Sequence, residues 1–166
     1  MTALDDFNAL PEAEAREQLA TCLDVPRWVD TVLEGRPYAD GGALLKVAEV
    51  AAQTLDDAEL ESALDRHPRI GERAGSGHDE NHSAREQAGV DPADADLARR
   101  LAAGNLAYED RFDRVFLIRA AGRTGPEILA ELERRLGNDG ETERAETVTQ
   151  LREIALLRLG QLTEGN

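Results

Sequence analysis

The residues best suited to chemistry lie in one polar stretch near the middle of the chain. His67 closes a helical pattern and stands directly before Pro68, so its backbone is restrained by the proline that follows. Histidine is the side chain best tuned to move protons near neutral pH, which makes His67 a candidate general acid or base. From its spacing alone, a solvent-exposed or helix-capping histidine is the better-supported reading. Ser83 and Glu86 lie three apart at the start of a short helical stretch, the spacing of a capping box, which explains both residues without any chemistry. His78 and His82 lie four apart, a spacing that on a helix presents two imidazoles to one zinc ion. Asp79, however, stands where a metalloprotease motif needs glutamate, and Gly75 and Gly77 argue for an open loop, so no metal is expected there. Arg158 lies among Leu156, Leu157 and Leu159. A charge there needs compensation, either from a structural ion pair or from an anionic substrate held by the guanidinium.

These residues depend on helices to position them. Pro11 to Cys22 reads as a first helix, and a second opens at Pro26, carries Trp28, Val29, Val32 and Leu33 as its apolar stripe, and ends at Gly35. Leu44 to Leu55 and the stretch from Asp56 through Leu64 form a helical hairpin. Arg66 to Asn81, with Pro68, three glycines and the histidines His67 and His78, reads as a loop. A short helix from Ser83 ends at Gly89, and the next is capped by Asp91, with Pro92 in its first position. Leu97, Leu101, Asn105, Tyr108 and Phe112 share one face of it. Val115 to Ile118 has strand-like composition but no partner strand, and is expected to be an extended connector buried between helices. Pro126 to Leu136 and Glu143 to Leu162 complete the chain as amphipathic helices. The expectation over residues 1–166 is one all-α domain, a helical bundle of about seven to nine helices.

Composition narrows the function classes. The formal net charge is -15, from 34 acidic and 19 basic residues, and Lys46 is the only lysine. Such a surface repels phosphate backbones, which argues against nucleic acid as a partner. Acidic, lysine-poor and arginine-bearing, it suits a salt-rich cytoplasm, where about 1 M salt shrinks the Debye length to about 3 Å. Cys22 is the lone cysteine, among apolar neighbours, and reads as a buried thiol in a reducing compartment. The chain shows neither a secretory leader pattern nor an apolar run of spanning length, so a soluble, cytoplasmic protein that does not enter the membrane is expected.

Taken in order, His67-Pro68-Arg69-Ile70-Gly71, Ser83-x-x-Glu86-Gln87, Asn105-x-x-Tyr108 with Arg111-Phe112, Phe116-Leu117-Ile118 with Arg123, Arg135-Leu136-x-Asn138 and Arg158-Leu159 resemble the OHCU decarboxylase family. OHCU is 2-oxo-4-hydroxy-4-carboxy-5-ureidoimidazoline, an intermediate of urate breakdown. The resemblance implies an all-helical fold and a cofactor-free decarboxylation that yields (S)-allantoin and carbon dioxide. It implies that His67 and Glu86 are the catalytic pair, and that Pro68, Ser83, Gln87, Phe116, Ile118 and Arg158 bind the small anionic substrate. A homodimer is compatible with it. The chain departs from the family pattern after Phe112, where Asp113, Arg114 and Val115 replace the usual glycine, aromatic residue and proline. That departure leaves room for a same-fold enzyme acting on a related ureido acid. The rival from another class is a helical interaction module in which His67 and Ser83 to Gln87 only cap and connect.

Overall fold

The computed structural model describes residues 2–67 and 94–164. Among these residues there are eight helices and no strand, so the chain is all-α as its apolar periodicity predicts. They divide into two compact units, Met1–Ala63 with Leu151–Asn166, and Leu64–Gln150.

The first unit opens with α1 (Ala3–Ala9), which the periodicity does not announce. Its start is a local device: the Thr2 side chain accepts from the Asp5 amide while Asp5 accepts from the Thr2 amide, a capping box that satisfies two otherwise unpaired donors. Its far end is closed from a distance, because Arg36 donates to the carbonyls of Phe7 and Leu10 at 2.8 and 2.9 Å. Helices α2 (Glu12–Cys22), α3 (Pro26–Glu34), α4 (Gly41–Ala51) and α5 (Asp57–Leu64) follow. Pro26 occupies the first turn of α3, where its missing N–H costs nothing. Asp40 caps α4, and Asp56 and Glu59 exchange the reciprocal bonds of a second capping box at α5. Helix α3 packs on both α2 and α4, burying Leu19, Cys22, Trp28, Val32, Leu44 and Ala48. Trp28 is fully buried, and its indole N–H finds the Ala48 carbonyl at 3.0 Å, the partner that a buried tryptophan needs.

The second unit is built on α6 (Ala95–Phe112) and α7 (Gly125–Arg135), which pack together. Asp94 caps α6; the expected cap at Asp91 and Pro92 lies outside the described residues. Close approach of α6 and α7 depends on two glycines: a methyl at Gly104 would stand 2.5 Å from the Leu132 side chain, and one at Gly125 would overlap Leu97. Asp113 ends α6 in the left-handed conformation, φ 56°, one of the few residue types that tolerates it. Residues 115–120 then run without regular structure. The last helix, α8 (Gly140–Glu164), starts three residues before the expected Glu143, behind Asp139, whose side chain accepts from the Thr142 amide at 2.7 Å.

Candidate functional site

His67 sits where the sequence places it, just beyond the last residue of α5, half-buried. Its backbone N–H donates to the Leu64 carbonyl at 3.0 Å. This bond satisfies one of the acceptors a helix leaves unpaired at its C-terminal end and ties the histidine's backbone to the helix. Pro68, Ser83, Glu86 and Gln87, and with them His78 and His82, lie outside the described residues.

Phe116 and Ile118 lie together. Along the extended connector alternate side chains point the same way, and Phe116, Ile118 and Ala120 all enter one apolar cluster with Leu97, Leu101, Tyr108, Ile128, Leu129 and Leu132. Phe116 meets the edge of the Tyr108 ring at 5.2 Å, with the planes at 70°. Both side chains are thus part of the core. Burial also pushes the Tyr108 hydroxyl above its ordinary pKa, so it remains protonated at neutral pH.

The connector's polar groups are met by side chains instead of by a neighbouring strand. The Leu117 carbonyl accepts from Arg135 Nη1 at 2.7 Å. The Arg119 amide donates to Gln150 Oε1 at 2.8 Å, and the Arg119 carbonyl accepts from Arg123 Nε at 2.8 Å. Arg119 Nη1 in turn donates to the Ala121 carbonyl at 2.6 Å. The arginines around this run therefore brace its backbone. At the departure after Phe112, Arg114 differs: its Nη1 is buried and meets no hydrogen-bond partner among the described residues.

Arg135 escaped notice as a functional position except as part of the family motif, yet it is the most deeply buried cation among the described residues of this unit. It is 1% exposed, and its Nε bonds both carboxylate oxygens of Glu143, which is 0% exposed. The sequence holds a clue to it: Arg135 falls three residues after Leu132 and seven after Ile128, on the apolar face of α7. Its partner is not legible there, because it lies on the next helix across a turn.

Arg158 belongs to the other unit. It is 2% exposed, and its Nη1 donates to the Thr21 carbonyl in the last turn of α2 at 2.9 Å. Its burial agrees with the apolar neighbours that single it out in sequence. Of the described candidates, Phe116 and Ile118 share one cluster, His67 lies in the same unit as they do, and Arg158 lies in the unit formed with the N-terminal helices. Among the described residues no group of three or more His, Cys, Asp or Glu side chains could hold a metal ion. None of their helices is long and apolar enough to cross a membrane.

Comparison with known proteins adds a family to this geometry. The family model for OHCU decarboxylase matches residues 8–160. The chain is 31% identical over 136 residues to the 2-oxo-4-hydroxy-4-carboxy-5-ureidoimidazoline decarboxylase of Amia calva, covering 80% of this chain and 78% of that protein. It is 24% identical over 163 residues to a uric acid degradation bifunctional protein of Bacillus sp. (strain TB-90), covering 98% of this chain but only 32% of the relative. A second such protein, PucL of Bacillus subtilis (strain 168), gives the same picture at 24% identity and 33% of its length, so the chain spans about a third of these bifunctional relatives. Among solved structures, an OHCU decarboxylase crystallised in the presence of (S)-allantoin superposes with a TM-score of 0.71 at 21% identity, covering 87% of this chain and 95% of that one. An (S)-allantoin synthase superposes at 0.69 and 18% identity, covering 96% of this chain and 53% of the other. At those identities the structural likeness establishes the fold alone.

Proposed function

The chain belongs to the OHCU decarboxylase family, and from that premise we propose that it decarboxylates OHCU to (S)-allantoin in urate breakdown, without a cofactor. The observation that carries the reading is the extent of the family match: residues 8–160 include every position, from His67 to Arg158, to which the resemblance gives a role.

The chemistry needs no external electron sink. When the bond to the carboxylate breaks, its electron pair moves into the conjugated imine of the substrate's own ring, and the ring then takes a proton on one face. What the protein must supply is a fixed cation for the anionic substrate, a water-poor cavity that weakens carboxylate solvation, and a proton delivered with one orientation. In this reading Arg158 is the cation, and its burial favours the role because a guanidinium shielded from water interacts strongly with an anion. His67 supplies the proton and Glu86 orients it, a positioned general acid being worth about 10²- to 10⁴-fold. Ser83 and Gln87 hold the substrate, Pro68 restrains the approach to His67, and the backbone at Phe116 and Ile118 closes the pocket.

The same reading treats the two compact units as one functional domain, working in the cytoplasm, with a homodimer as its expected assembly and neither nucleic acid nor membrane as a partner. The charge of -15 supports the last of these. The test is to add the purified protein to freshly generated OHCU and follow allantoin by circular dichroism. Accelerated formation of the (S) enantiomer is expected; no acceleration, or racemic product, overturns the proposal.

A further inference from the structure

The buried Arg135 to Glu143 pair has no evident need to be ionic. A buried ion pair is seldom better for stability than a well-packed apolar pair of similar volume, and this one lies against a cluster of leucine, isoleucine, alanine and aromatic side chains. What a guanidinium offers that leucine or methionine cannot is a rigid fork of donors. Here each of its three nitrogens is engaged. Nε engages Glu143, Nη1 donates to the Leu117 carbonyl at 2.7 Å, and Nη2 reaches Thr147 Oγ1 at 3.4 Å. The guanidinium carbon also stands 4.6 Å from the centre of the Phe116 ring.

Two consecutive residues of the connector are therefore gripped by one side chain, Phe116 through its ring and Leu117 through its carbonyl. The connector needs such a grip. Leu117 is 4% exposed, no strand lies among the described residues to pair with it, and a buried carbonyl without a donor is costly. Glu143, fixed in the first turn of α8, aims the fork. Next along the chain is Ile118, whose backbone the functional reading places at the pocket.

We propose that Arg135 is a positioning residue, which sets the backbone of 116–118 at the height the substrate requires while never touching substrate itself; the inference rests on the functional reading above for what that backbone meets. Glu143 is its orienting partner.

The test uses the full chain with both charges removed together, Arg135→Met with Glu143→Leu, so that neither is left stranded, and Arg135→Lys as a second variant that keeps a cation beside Glu143 but gives up the fork. Two readouts are taken. In amide hydrogen exchange, residues 116–120 should exchange about tenfold faster in both variants, with α6 unchanged. In steady-state kinetics, KM for OHCU should rise about tenfold, with kcat and its pH profile held, because a displaced wall weakens binding without altering the proton donor. Leu44→Ala, in the core of the other unit, serves as a control for destabilisation alone and should leave KM in place. Unchanged exchange at 116–120, or faster exchange with KM unmoved, overturns the proposal. Failure of the wild-type protein to turn over OHCU would overturn the functional reading instead, and the exchange result would still decide whether Arg135 holds the connector.

Discussion

Arg158 donates to the carbonyl of Thr21 across 2.9 Å, closing the C-terminal end of α2 with a cation buried in the last helix. That carbonyl is among the four acceptors a helix leaves unpaired, and a positive charge there also opposes the helix dipole. The residue proposed to hold the substrate is thus anchored by the fold first. Arg158→Lys keeps the charge and loses the planar fork. It should lower stability to urea by about 1.5–3 kcal/mol, the range for hydrogen bonds to charged groups, and raise KM for OHCU at least tenfold. A loss of stability with KM unmoved would leave Arg158 as the cap of α2 and nothing more.

The backbone N–H of His67 donates to the Leu64 carbonyl, a bond that does not depend on the imidazole. His67→Asn should therefore preserve the end of α5 while removing the proton donor. Turnover of OHCU is expected to fall by about 10²- to 10⁴-fold with the far-ultraviolet circular dichroism unchanged. Glu86→Gln, if Glu86 orients the imidazole, should lower kcat in the same direction. Activity within a few-fold of wild type in either variant removes that residue from the mechanism.

Much of the scaffold is legible from short-range chemistry, and the exceptions have physical causes. Pro26 and Asp56 mark helix starts in the sequence because each acts within one turn of itself, and the structure adds equally local caps at Asp40 and at Thr124 with Glu127. The same logic would have found α1, whose Thr2 and Asp5 form an equally local box. Its single buried residue, Phe7, gives no apolar repeat to notice. Gly140 conceals the first turn of α8, being a poor helix former placed behind a good cap. The extended connector is legible from the lack of a partner strand, but its bracing is not: Arg135, Gln150 and Arg123 reach it from 18, 31 and 4 residues away. Arg158 stands out as a charge among leucines, whereas its acceptor lies 137 residues earlier. The reading of His67 and Glu86 as a catalytic pair comes from the order of motifs along the chain; their spacing alone is that of a loop end and a cap.

Arg134 bonds two carboxylates, Glu146 at 2.7 Å and Glu131 at 2.8 Å, and holds both below the usual glutamate value of 4.5, while its own pKa is raised by them. Asn138 adds a second donor to Glu146. For a carboxylate depressed in the folded state, the stability is present above the unfolded value and is lost as pH falls through the folded one. Arg134→Gln should therefore be less stable than wild type at pH 7, and the gap should close at an acidic pH below the lowered folded-state values, where both glutamates are protonated. The side chains are partly exposed, so the gap is that of screened surface pairs, roughly 0.2–1 kcal/mol for each. Urea unfolding at the two pH values measures it; a gap that persists in acid would assign the loss to packing.

Salt should act on this protein twice, and in one direction. At a net charge of -15 the folded chain repels itself, and compact packing raises that repulsion relative to the unfolded state. The same field repels an anionic substrate on its way to Arg158. Both effects are long-range, and both weaken as the Debye length falls from about 10 Å at 0.1 M salt to about 3 Å at 1 M. The local ion pairs that salt also weakens are mostly exposed and individually worth little, as in Arg99 with Asp96 or Arg100 with Glu133. The net prediction is that the thermal midpoint rises between 0.1 and 2 M potassium chloride while KM for OHCU falls. Thermal scans and initial rates across that range decide it: a midpoint that drops with salt would mean the surface pairs outweigh the repulsion, and the salt-rich setting read from the composition would be wrong.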